Sequence, residues 1–139
     1  MIRKGPTKNE RSGVDRMGRT ELHYAALEAD LLKVKQLLLA DADPNASDDN
    51  GLTPLHFAAQ SNSYAVSEAL ILAGASVDSF DANGNTPLSD AVFHSDGSGD
   101  LIKLLLRSGA DRNKENNYGI SPLELAQSIG NFDLAQFFQ

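Results

Sequence analysis

Residues 48–59 read Asp-Asp-Asn-Gly-Leu-Thr-Pro-Leu-His-Phe-Ala-Ala, and nearly the same words occur three more times along the chain. Aligned on a Thr or Ser, the other copies are DRMGRTELHYAA from Asp15, DANGNTPLSDAV from Asp81 and NNYGISPLELAQ from Asn116. Their phase-setting residues Thr20, Thr53, Thr86 and Ser121 lie 33, 33 and 35 positions apart. Self-similarity at a fixed period of roughly 20 to 50 residues marks a stacked repeat, in which units bury their apolar faces only against neighbours.

The second copy shows the logic of one unit. Gly51 sits where a tight turn needs positive φ, which glycine adopts without a steric cost. Thr53 followed by Pro54 predicts a helix N-cap with proline at the first helical position, where the missing N–H is no loss. That helix runs to about Asn62, and a second follows over 64–72, with Tyr64, Val66, Leu70 and Ile71 available for burial. Gly74 just after it suits a left-handed cap. The same reading gives helix pairs at 21–28 and 31–39, 87–94 and 100–107, and 122–129 and 132–138. Thr86-Pro87 and Ser121-Pro122 repeat the start signal, and Gly109 repeats the stop. The first unit departs from the pattern, with Glu21 at the proline position and Asp41 at the glycine position.

At these residues the chain resembles the ankyrin repeat family, whose unit is a β-turn followed by two antiparallel helices carrying a Thr-Pro-Leu-His-x-Ala signature. The resemblance covers residues 15–139 and implies an all-α solenoid of four units, at about 15–47, 48–80, 81–115 and 116–139. Residues 1–14, rich in Gly, Pro, Lys, Arg, Asn and Ser, are predicted to be a flexible leader.

Charge is unevenly distributed. The net charge is −7, yet Arg3, Lys4, Lys8 and Arg11 all fall in the first eleven positions. Residues 36–102 contain no Lys or Arg and ten acids, among them Asp41, Asp43, Asp48, Asp49, Asp81 and Asp90. Such a surface repels phosphate backbones, which argues against nucleic-acid binding, and steers a basic protein partner toward itself. There is no cysteine, so no disulfide framework or thiolate site is available. No apolar run reaches membrane-spanning length and the N-terminus lacks a secretory core, so the expected setting is cytoplasmic.

Catalytic and metal-binding constellations find no support. His23 and His56 occupy the same position in successive units, and the resemblance implies that they link adjacent repeats structurally. Ser89 and Glu124 replace them further on, so that linkage must change partway along the stack. Asp90 puts a charge where other units have Tyr24, Phe57 and Leu125, and if buried it needs a donor. The third unit is two residues longer, the excess lying in Phe93-His94-Ser95-Asp96-Gly97-Ser98-Gly99-Asp100. His94 with Asp90, Asp96 and Asp100 matches no EF-hand or zinc spacing. Ser95 beside His94 makes no triad, and there is no phosphate loop or dinucleotide fingerprint. No cofactor is expected.

What remains is recognition of another protein. Solenoids present an extended concave face, and the resemblance implies contacts at turn tips and first-helix ends. The matching positions are Arg16, Met17 and Arg19; Asp48, Asp49, Asn50 and Leu52; Asp81, Asn83 and Asn85; Phe93 and His94; and Asn117, Tyr118 and Ile120. Apolar anchors among Asp and Asn suit an interface. Compact bacterial proteins of this kind also resemble immunity proteins encoded beside secreted toxins, which implies an inhibitor of a basic toxin domain. A scaffold or assembly adaptor docking through its concave face or its apolar C-terminal end, with Phe132, Leu134, Phe137 and Phe138, is the alternative. Leu134 and one phenylalanine must close the core, and a monomer is expected rather than a dimer.

Overall fold

A computed structural model describes residues 13–130 and 133–139. Most of the expected leader, and Phe132, lie outside the described residues. The helices are α1 (Glu21–Leu27), α2 (Leu31–Leu39), α3 (Pro54–Gln60), α4 (Tyr64–Leu72), α5 (Pro87–Phe93), α6 (Asp100–Arg107) and α7 (Pro122–Ser128), followed by a 3-10 turn at Leu134–Phe138. No strand occurs among the described residues. The fold is therefore the all-α repeat solenoid expected. The last predicted helix is corrected: instead of an α-helix over 132–138, the described residues form the short 3-10 turn.

Each first helix has seven residues, too short to be stable alone, so its ends and its packing must hold it. Thr53 is extended (φ −96°, ψ 167°) and its hydroxyl accepts from the His56 N–H, while Pro54 opens the helix. Thr20 does the same for α1 and Ser121 for α7. The helices then stack in two rows: α1, α3, α5 and α7 in one, α2, α4 and α6 in the other, with the 3-10 turn against α6 and α7.

The core runs between the rows. Leu22, Leu55 and Leu88 recur at one position and are buried, and Ala25, Ala26, Ala58, Ala59 and Ala91 let neighbouring helices approach closely. Val34, Val66, Leu70, Leu101, Ile102 and Leu105 come from the second row. Of the four residues predicted for burial in α4, Val66 and Leu70 are buried and Ile71 is half-buried on the core, whereas Tyr64 faces outward and its hydroxyl accepts from Arg107 Nη2 at 3.2 Å. Leu134 and Phe138 close the stack, and Phe137 packs half-buried beside them.

Ahead of each helix pair the chain makes a tip, and the four tips are built alike. The Asp48 carboxylate accepts from the N–H groups of Asn50 (2.9 Å) and Leu52 (2.8 Å), folding the turn around one side chain. Asp15, Asp81 and Asn116 repeat this within their own tips. Successive tips are then joined backbone to backbone: Asp49 N–H donates to the Met17 carbonyl (2.8 Å), Ala82 to Asn50 (2.8 Å) and Asn117 to Asn83 (2.9 Å). Gly51 serves both needs, since its φ is +78° and a Cβ there would lie 3.0 Å from Asp81 Cα. Asp41 takes the left-handed conformation (φ 66°) that Gly74 and Gly109 take in their units, at the usual cost of a non-glycine residue there.

Candidate functional site

The linking histidines show why one end of the stack is regular and the other is not. His23 Nδ1 accepts the Thr20 N–H at 3.0 Å, which leaves the proton on Nε2, and Nε2 lies 2.9 Å from the Leu52 carbonyl. His56 repeats the arrangement with the Thr53 N–H (3.0 Å) and the Asn85 carbonyl (2.9 Å). Each ring thus ties its own N-cap to the tip of the next unit. Burial depresses both imidazole pKa values, opposed by the bonds to those carbonyls. At the third unit Ser89 is too short to replace the ring. The Thr86 hydroxyl, fully buried, has no hydrogen-bond partner, and α5 lacks a side-chain cap.

The expected recognition residues divide into two groups. Asp48 is a correction: its side chain is 0 % exposed and its carboxylate is occupied by two backbone N–H groups and by Arg19 Nε at 3.2 Å. Arg19 is corrected with it, because its guanidinium lies 4.9 Å above the Phe57 ring and 5.9 Å from Tyr24. The pair cross-links units one and two internally. Leu52 is half-buried against the core, and Asp81 and Asn85 are half-buried, with Asn85 Oδ1 accepting from Asn116 Nδ2 at 2.9 Å. Polar side chains at the tips thus build the turns themselves. Arg16, Met17, Asp49, Asn50, Asn83, Phe93, His94, Asn117, Tyr118 and Ile120 are exposed as expected, Tyr118 by 73 % and Phe93 by 68 %.

The exposed residues of units three and four surround a cleft of about 340 Å³ lined by Asn85, Ser89, Asp90, Phe93, His94, Asn116, Ile120 and Leu125. Phe93 and His94 meet edge to face at its margin, with ring centroids 5.2 Å apart. Asp90 has its donor in Gln60 Nε2, at a long 3.4 Å. Burial pushes its carboxyl up to about 7; the Gln60 bond works against this, and the negative charge of Asp81 adds to it.

Two features were not read from the sequence. The cleft is one, since it needs the tip of unit four to stand beside α5. The other is a set of exposed leucines on the second row, Leu32, Leu39 and Leu72. The signal for them was present, because Leu39 and Leu72 occupy one repeat position and α2 carries more leucines than one face can bury. Among the described residues no group of three or more His, Asp or Glu side chains is placed to hold a metal ion. No helix there is long and apolar enough to cross a membrane.

Helix pairs in two rows, joined by hydrogen-bonded tips and linked by buried histidines, define a helical-repeat solenoid with a tip-and-helix-end face. The chain belongs to the ankyrin repeat family, whose description as ankyrin repeats in three copies matches residues 22–116. α7 and the 3-10 turn continue the same stack beyond that match. No curated protein matches the chain. Ankyrin repeats are protein–protein interaction modules, typically without enzymatic activity, and that is the class of function assigned to this chain.

Proposed function

We propose that this protein binds a basic protein partner through the tips and first-helix ends of units two to four. One observation carries the reading: residues 36–102 hold no Lys or Arg, and they contribute exposed Asp49, Asn50, Asn83 and Phe93 to that face. A cationic partner is drawn to such a surface, and the apolar side chains Phe93, Tyr118 and Ile120 supply anchors for it. An interface of about 800 Å² per partner, typical of tight inhibitors, lies within the reach of three adjoining units.

In its narrower form, suggested by the resemblance to compact bacterial immunity proteins, the partner is a basic toxin domain whose active site is covered on binding. A scaffold role through an apolar C-terminal end has less support, because Phe138 is buried in the core and Phe137 packs beside it. The test is affinity capture with the wild type and with Asp49→Lys, Asn50→Lys and Asn83→Lys combined. These positions are exposed, unlike Asp48, whose replacement would break the tip. The reading expects capture of a basic protein whose binding weakens as salt is raised to about 0.5 M and is lost in the triple variant. Capture unaffected by both changes refutes it.

A further inference from the structure

We infer that the cleft between units three and four receives a single arginine or lysine side chain of the protein partner, with Asp90 as its counter-ion. The inference rests on the binding role proposed above and names its anchor.

The molecule contains its own precedent. Position 19 of unit one corresponds to Leu52, Asn85 and Ile120, and Tyr24 corresponds to Phe57, Asp90 and Leu125. At the first junction Arg19 lies over the Phe57 ring and pairs with Asp48, so a guanidinium of the chain itself fills the space between a tip and the next first helix. At the last junction the parts are redistributed. The acid comes from the helix, as Asp90, and Phe93, Ile120 and Leu125 provide ring and aliphatic walls. No residue lining this cleft is a Lys or Arg. Its volume of about 340 Å³ is near the lower bound for ligand pockets, suited to one extended side chain rather than a large molecule.

Energetics point the same way. A carboxylate half withdrawn from water and met by one long amide hydrogen bond is poorly compensated, and Asp81 opposes its charge further. A cation entering the cleft supplies the missing compensation in a partly desolvated setting, where ion pairs are stronger than at an open surface. A hard metal ion needs six or more oxygen ligands or a tight octahedral set, which one carboxylate does not furnish. Arginine fits better than lysine, since the guanidinium is weakly hydrated and stacks on an aromatic face such as the exposed Phe93 ring.

The probe is N-acetylarginine amide, titrated into the full ¹⁵N-labelled chain and followed by amide chemical shifts, with neutral N-acetylcitrulline amide as the shape control. Saturable shifts at Asp90, Phe93, Asn116 and Ile120 are expected, with citrulline about twofold to fivefold weaker. Asp90→Asn should abolish that preference. Phe93→Ala, at an exposed position where folding is not in question, should weaken both probes. Equal binding of arginine and citrulline, shifts centred elsewhere, or the same shifts from Mg²⁺ alone would each overturn the inference. Because no partner protein is present, failure here is distinct from failure of capture, which tests the wider reading.

Discussion

Replacing Asp90 by Asn should change how stability depends on pH, and the size of the effect follows from the carboxyl group's setting. In the unfolded chain the group titrates near 3.8, and in the fold near 7. A raised folded pKa means that the unfolded state ionises first. The contribution is therefore fully present below about 3.8 and is lost as pH rises through about 7. Each pH unit inside that window is worth ~1.36 kcal/mol. Between pH 5 and pH 8 about two units lie inside it, so the wild type should lose roughly 2 to 3 kcal/mol from this group. His23 and His56 act in the opposite sense, because their depressed pKa values give stability above about 6.5 that is lost as pH falls. Both proteins carry them, so subtracting one unfolding curve from the other removes their effect. Asparagine keeps an acceptor for Gln60 and carries no charge. Urea unfolding followed by circular dichroism at pH 5 and pH 8 should show the variant gaining roughly 2 to 3 kcal/mol on the wild type across the interval. A difference that stays constant within about 0.5 kcal/mol would refute the account of Asp90 as a half-buried, poorly compensated acid.

The buried polar groups make further contrasts. Thr53→Val should cost about 1 to 2 kcal/mol in thermal or urea unfolding, whereas Thr86→Val, which removes a hydroxyl without a partner, should be neutral or stabilising. His56→Ala removes the tie between Thr53 and Asn85 and leaves a buried void, so a loss of about 2 to 4 kcal/mol is expected by the same measurement. Gly51→Ala meets both a left-handed φ and the backbone of Asp81, whereas Gly119→Ala meets the φ alone; the first should lower the melting temperature by several degrees more. Ala29→Gly should stabilise by about 0.5 to 1 kcal/mol, since Ala29 holds φ 55° at the end of α1.

Much of the fold was legible because each local signal agreed with the period. Thr-Pro pairs marked helix starts, Gly74 and Gly109 marked stops, and Val66, Leu70 and Ile71 were rightly expected on the core side of α4. The final helix departs from expectation because the apolar run with Phe132, Phe137 and Phe138 satisfies a helical period, although the turn that forms spans only five residues, Leu134–Phe138, and no side chain caps it. The recognition face was harder to read. Position in the repeat identifies a tip residue but not the direction of its side chain. Asp48 and Asp49 are neighbours of one chemical type, yet one carboxylate folds the turn and the other residue is exposed. Arg19 was misplaced for a related reason, since its partners Asp48 and Phe57 come from the next unit and have no adjacency in sequence.

Beyond Glu21 and Asp41 in the first unit and Glu124 in the fourth, the departures from the repeat gather in one place. Ser89 in place of the linking histidine, the orphaned Thr86 hydroxyl, the acid at Asp90 and the two-residue excess after Phe93 all belong to the third unit. Each weakens the stack by the rules that hold units one and two together. A selection for stability alone would have repaired them with residues already present in the neighbouring units: a histidine at 89, a phenylalanine at 90. Local conflicts of this kind gather where a surface does something other than fold. Here they coincide with a cleft, two exposed apolar side chains and a carboxylate without a cation, at the junction where units three and four meet. The regular units are then the frame, and the irregular one is where binding specificity is to be sought.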